Sequence, residues 1–203
     1  MVISHYGLGM VKIQQGDWIA VFNPIGTGSE LEPVKFGADL ALVSLQDSDY
    51  NGVNHVSRGE RVPFLIDGAG EYEVEGNFIQ GFSTLGPSGK INTVYLLVID
   101  GVRLVHLGAL AESTLSDKLV ESLGTVDLLF LPIGGGLLET KQAAKLVTVL
   151  EAKVVVPVNF DQKSLPAFLK ETGEEEVKSL ETWTMKKKDL VDKAGDVVVI
   201  KSF

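Results

Sequence analysis

Residues Ala38-Asp39-Leu40-Ala41-Leu42-Val43-Ser44-Leu45-Gln46-Asp47-Ser48-Asp49-Tyr50-Asn51-Gly52-Val53 decide how the rest of this sequence is read. An apolar run, Ala38 to Val43, stops abruptly and gives way to side chains that can bind protons, ligands or metals. Five apolar residues interrupted only by Asp39 and bounded by a polar cluster read as a buried strand followed by a loop at its C-terminal end. Layered α/β folds place chemistry at that edge, because the strand holds the loop while the loop sequence is free to vary.

Working outward, the layout resembles the metallo-β-lactamase superfamily, in particular its branch of small metal-dependent hydrolases. In that family the corresponding strand is followed by Thr-His-x-His-x-Asp-His, which falls here on Ser44, Leu45, Gln46, Asp47, Ser48, Asp49 and Tyr50. Only Asp49 is retained. Leucine donates nothing to a metal, and tyrosine is a poor replacement for imidazole on zinc. Further segments carry the likeness in the same order. Tyr6 to Ile13 is similar to the opening Gly-His-Ser strand, and Phe22-Asn23-Pro24 to a hydrophobic-Asp-Pro turn. Gly70 to Val74 is similar to Pro-Gly-Glu-Tyr-Glu with Ala69 for proline, and Leu85 follows Thr84 where a histidine is expected. His106-Leu107-Gly108-Ala109-Leu110 resembles His-Leu-Gly-Asp-Leu, with Ala109 in place of the metal-bridging aspartate. Leu131 to Gly135 and Val156 to Phe160 resemble the next two strand ends, with Asn159 where the last histidine ligand would stand. The likeness covers roughly residues 1 to 160. It implies one four-layer αββα sandwich of the α/β class, spanning residues 1–203 as a single domain, with most metal ligands replaced.

Composition is compatible with that fold. The chain has 203 residues, 45% hydrophobic and 22% charged, and a domain of this size buries roughly 70% of its unfolded surface, enough for a core without covalent staples. No cysteine is present, which excludes disulfide and thiolate chemistry and points to a cytoplasmic setting. No basic start followed by an apolar run marks a signal peptide, and no apolar window approaches the roughly 18 residues of a membrane span. A net charge of −9 argues against a general nucleic-acid binder. The acidic run Glu174 to Glu176 and the basic run Lys186 to Lys188 read as solvated surface.

Along the chain, residues 1–22 read as two short strands around Gln15-Gly16, and the Gly- and Pro-containing stretch 23–33 as a loop. Gly26-Thr27-Gly28-Ser29 lacks the lysine and spacing of a phosphate loop. Pro63 marks Val62 to Ile66 as an edge strand. A hairpin is expected over 70–82 with Gly76-Asn77 near its turn, and Asp100-Gly101 predicts a type I′ turn between strands 92–99 and 102–107. Helical spacing then groups Leu115, Leu119, Val120 and Leu123, with Thr114 as the N-cap and Gly124 as the stop. Ala143, Leu146, Val147 and Leu150 form a second face, and Leu165, Phe168 and Leu169 a third. These helices alternate with strands 126–131 and 153–158. The tail 177–203 contributes strand-like Leu180 to Met185 and Val197 to Ile200.

Functional residues are therefore sought around Leu45, Asp47, Asp49, Tyr50, Glu71, His106, Ala109 and Asn159. A hydrolytic zinc centre needs at least three protein ligands and an open position. The only histidines, His5, His55 and His106, are not spaced as a ligand pair, so neither a catalytic residue nor a resident zinc is expected. His106 reads as a structural residue, and Glu71 as one of an alternating Glu71, Glu73, Glu75 row on a half-exposed strand. Asp47-x-Asp49-x-Asn51-Gly52 copies the start of a calcium loop but has Arg58 at the twelfth position and follows a strand rather than a helix, so a polar turn is the simpler reading. The expectation is a noncatalytic or catalytically altered protein whose degenerate site binds a small molecule or a protein partner. Two alternatives stand beside it. One is a hydrolase using Asp47, Asp49 and Asn159 around a weakly bound Mg, Mn or Ca ion; the other is an assembly role through homo-oligomerisation.

Overall fold

The computed structural model describes residues 1–202. Two sheets face each other across an apolar interior. The first has strands β1 (Val2–His5), β2 (Val11–Gln15), β3 (Trp18–Phe22), β4 (Leu40–Leu42) and β5 (Phe64–Ile66), joined at its edge by β12 (Trp183–Thr184) in the order β12-β1-β2-β3-β4-β5. The second has β6 (Gly70–Val74), β7 (Asn77–Leu85), β8 (Ile91–Ile99), β9 (Val102–His106), β10 (Leu128–Pro132), β11 (Val154–Val158) and β13 (Asp196–Val197), ordered β13-β11-β10-β9-β8-β7-β6. Ile13, Phe22, Leu42, Tyr95, Leu104, Phe130 and Val156 fill the space between them.

Helices α1 (Asp117–Leu123), α2 (Thr140–Val149) and α3 (Ser164–Thr172) cover the outer face of the second sheet through Leu119, Leu123, Ala143, Leu146 and Phe168. Each helix presents one apolar stripe, and the adjoining strands are buried on both sides, as their unbroken runs such as Leu128 to Leu131 require. The sandwich is thus the expected one. Its layer on the first sheet is thinner, made of the loop 23–37 and a single-turn 3-10 helix, Val53–Val56, packed over Val21, Ala41 and Ala38.

Local chemistry accounts for much of the layout. Strand β8 turns into β9 through Asp100 (φ 50°) and Gly101 (φ 69°), both in the left-handed region that a type I′ turn needs. The β6–β7 turn uses Glu75 and Gly76, one residue earlier than the sequence suggests. Pro63 immediately precedes β5, the free edge of its sheet, where a missing donor costs no ladder bond.

Four local readings are corrected. Residues 1–22 hold three strands, because Val2–His5 pairs with β2 on one side and β12 on the other. Tyr6 to Met10 is a loop, with Gly7 and Leu8 at positive φ. The N-cap of α1 is Ser116, whose Oγ accepts from Leu119 N, and Thr114 lies outside the helix. Finally, the tail gives one strand to each sheet, β12 beside β1 and β13 beside β11. None of the described helices is long and apolar enough to cross a membrane.

Candidate functional site

The ends of β3, β4, β9, β10 and β11 meet at one edge of the sandwich, and the loop Tyr6 to Met10 ties them together through its carbonyls. Leu8 O accepts from Asn159 N at 2.8 Å, after β11. Gly9 O accepts from His106 Nε2 at 3.0 Å and from Asn23 Nδ2 at 3.4 Å. Asn23 Oδ1 in turn accepts from Ser44 N at 2.8 Å, so one amide bridges the ends of β3 and β4.

His106 is fully buried and stacks against both Phe22 and Phe130, with ring centroids 5.0 and 5.6 Å away, in a three-ring cluster whose phenyl rings also touch each other at 6.0 Å. Gly108 N donates to its Nδ1 at 2.9 Å, which leaves the proton on Nε2 to be donated to Gly9 O. Burial pushes its pKa down to about 3, against the raising effect of the Gly9 hydrogen bond. A neutral imidazole with both nitrogens occupied inside the protein has no lone pair left for a metal. The other two histidines are also engaged: His5 lies against Leu8 O and Ile200 O, and His55 Nε2 lies 3.0 Å from Thr27 Oγ1.

Leu45, Tyr50 and Ala109, which occupy ligand positions in the family pattern, pack against one another in a small apolar cluster closed by Leu137. Asn159 Nδ2 donates to Tyr50 Oη at 3.0 Å, and burial pushes the phenol up to about 12, which keeps it protonated. Ala109 N donates to Asn92 Oδ1 at 2.7 Å, while Asn92 Nδ2 donates to Thr84 Oγ1 and Leu107 O. Asn92 is a fully buried hub of this edge that sequence reasoning missed, as it missed Leu137. No local pattern marks Asn92, because every partner comes from another segment. Gly108, at φ 64°, has no room for a side chain: a Cβ there would lie 2.4 Å from Asn92 Oδ1 and 2.5 Å from Ser44 Cβ.

The acidic candidates diverge. Asp47 forms an ion pair with Lys90 at 2.8 Å and caps Asp49 N at 3.3 Å; the Lys90 hydrogen bond holds its carboxyl below the usual range. The segment is the polar turn, with Tyr50 N and Asn51 N both donating to Asp47 O. It is pressed onto the loop after β3 so closely that a Cβ at Gly52 would lie 2.2 Å from Ile25 O. Asp49 instead lines a crevice of about 490 Å³ together with His5, Ser29, Glu30, Ser48 and Phe160. Glu71 does not join these residues. It is exposed on edge strand β6 and accepts from Gln80 Nε2 at 3.0 Å, while its neighbours Tyr72 and Val74 face the interior.

Fit to a metal can be judged from these donors. Among the described residues, no three His, Cys, Asp or Glu side chains gather to hold an ion. At the family's ligand positions, Leu45, Tyr50 and Ala109 form an apolar plug, Asn159 is an amide bound to a phenol, Asp47 is paired with Lys90, and Asp49 faces the crevice outside. The residues present do not fit a dinuclear zinc centre. The oxygen-ligand alternative is weakened as well, because Asp47 is neutralised by Lys90, which leaves Asn159 Oδ1, a buried acceptor without a hydrogen-bond partner, as a neutral donor atom.

Tyr50→Phe is expected to lower unfolding stability by about 1–3 kcal/mol, since it strands a buried amide that has no other side-chain partner. Equilibrium urea denaturation checks this, and an unchanged midpoint would show that the Asn159 contact carries no weight.

The family described as Beta-lactamase superfamily domain matches residues 3–159. A relative from Thermococcus onnurineus, named UPF0173 metal-dependent hydrolase, is 37% identical over 174 residues, covering 70% of this chain and 76% of its own length. A similarly named Bacillus velezensis protein is 27% identical over 197 residues, 79% of this chain and 86% of that one. Among solved structures, a Thermotoga maritima protein assigned as a Zn-dependent hydrolase of the metallo-β-lactamase superfamily superposes with a TM-score of 0.79. It is 24% identical, with 100% of this chain and 99% of that one covered. Family match, relatives and architecture agree, and this chain belongs to the metallo-β-lactamase superfamily, with its metal-ligand positions altered.

Proposed function

We propose that this protein is a noncatalytic member of its superfamily that binds a small polar molecule in the crevice beside Asp49. The observation that carries the reading is the plug: Leu45, Tyr50 and Ala109 occupy ligand positions, and Leu137 packs over them. The crevice stays outside it, with Asp49 and Glu30 as acceptors, Ser29 and Ser48 as hydroxyl groups and Phe160 as an apolar wall. That lining favours an amine or a polyol over an anion. The relatives' names support the competing reading, hydrolysis with a divalent cation on Asp47, Asp49 and Asn159.

Elemental analysis after dialysis separates the two. The expected result is no retained zinc, manganese or magnesium, and a thermal midpoint that a chelator leaves unchanged. A stoichiometric metal whose loss in Asp49→Ala also abolishes turnover would defeat the noncatalytic reading. In the same protein, a thermal-shift screen of amines and polyols should give hits that Asp49→Asn weakens.

An assembly role is favoured by one separate observation. Val62, Phe64 and Leu65, on and beside edge strand β5, are 69%, 54% and 44% exposed, a combination that invites pairing with a second copy. A mass in solution that remains monomeric across concentrations sinks that reading. The lack of cysteine supports a cytoplasmic setting for either role.

A further inference from the structure

One cavity in the thin layer over the first sheet differs in charge from the molecule as a whole. There the loop 23–37 and the 3-10 turn Val53–Val56 leave an open cavity of about 620 Å³, lined by Lys35, Phe36, Asn54, His55, Ser57 and Arg58. No carboxylate lines it, although the chain as a whole carries a net charge of −9. Among the described residues, neither Lys35 nor Arg58 belongs to an ion pair, whereas the adjacent Arg61 is bound by Asp39. A third cation reaches the same region: Lys12 Nζ lies 5.4 Å from the centroid of the Phe36 ring. Two unpaired cations in one concavity repel each other, and their arrangement is relieved by a bound anion.

The geometry points to a binding site for a small phosphomonoester, its phosphate taken by the Lys35 ammonium and the Arg58 guanidinium and its organic part laid against Phe36. Arginine offers a planar fork matched to phosphate oxygens and lysine a point charge, which together balance a dianion. The exposed Asn54 amide adds a neutral donor on the same wall. The cavity has the size of a small-ligand site. A long polyanion is disfavoured, because the acidic remainder of the surface would repel its flanking phosphates. The site shares no lining residue with the crevice beside Asp49, so its fate is independent of the function proposed above.

The test is a titration of the full chain with phenyl phosphate at low salt, followed by amide NMR shifts and calorimetry, with phenol as the uncharged control. Saturable binding is expected, with shifts concentrated at Phe36, Asn54 and Ser57, and none with phenol. Lys35→Gln and Arg58→Gln, both at exposed positions, should each weaken binding about tenfold or more, while the double change Lys186→Gln and Lys188→Gln leaves it unaltered. Absence of saturation, equal binding of phenol, or indifference to both substitutions would overturn the assignment. So would a single-stranded oligonucleotide whose affinity exceeds that of phenyl phosphate and grows with its length, which would make this face a nucleic-acid surface instead.

Discussion

His106→Ala is expected to lower the free energy of unfolding by about 3–5 kcal/mol, as for removal of a buried aromatic ring. The substitution opens a void beside Phe22 and Phe130 and leaves Gly9 O and Gly108 N without their ring partner in a fully buried setting. Urea denaturation reads the loss as a shifted midpoint with an unchanged slope. A cost below about 1 kcal/mol would mean that the imidazole does not hold the strand ends together. The same residue predicts acid sensitivity. In the unfolded chain the ring takes up a proton below its ordinary value of 6.5, while in the folded protein it does so only near 3. The unfolded state therefore binds more protons across that window, and stability falls as pH drops, by about 1.4 kcal/mol per unit from this group. His5, also lowered by burial, acts in the same direction. Comparing wild type with His106→Ala between pH 4.5 and 6.5, in steps of about half a unit, isolates the contribution: the variant should show the shallower dependence, and parallel curves would contradict the buried neutral ring.

Ala109→Asp restores the carboxylate of the family pattern, yet it is expected to destabilise this protein by about 3–5 kcal/mol at neutral pH. Ala109 is fully buried against Leu45 and Tyr50, its amide is committed to Asn92, and the side chains of its cluster carry no positive charge to pair with a new carboxylate. Desolvation raises the pKa of such a carboxyl, so the penalty is largest above that raised value and eases as pH falls and the acid becomes neutral. Added zinc should restore nothing, because Leu45 and Tyr50 supply no further ligands. Thermal denaturation with and without zinc measures both effects. A variant as stable as wild type that gains a large zinc-dependent increase would show that the site has room and donors for a metal, contrary to the apolar plug.

The sequence was legible where a local pattern carries the structure. Asp100-Gly101 specifies its own turn, and Leu45, Tyr50 and Ala109 stand out against a family pattern because each replaces a metal-binding side chain. The structure brings those three together and sets Asn159 on Tyr50. Other features depend on contacts remote in sequence. Val2 to His5 is too short and polar to declare itself and becomes a strand through β2 and β12. Tyr6 to Met10 has an apolar pattern, yet Gly7 and Leu8 bend it into the loop that joins the strand ends. Near α1, Ser113, Thr114 and Ser116 can all cap a helix, and only the backbone path selects Ser116. Asn92 and Leu137 have no sequence signal at all, since their roles exist only after β8, β9 and the loop after β10 have met. Glu71 shows the reverse error: a segment that matches the family well carries a side chain pointing away from the edge where the other candidates gather.

The placement of β12 and β13 constrains how the chain is made. Both sheets keep one border open until residues 183–197 have been synthesised, so neither can be completed while that stretch is still inside the ribosome. A nascent chain halted near residue 180 would expose β1 and β11 as bare borders, the form of this protein most open to chaperone capture and to mispairing between neighbours on a polysome.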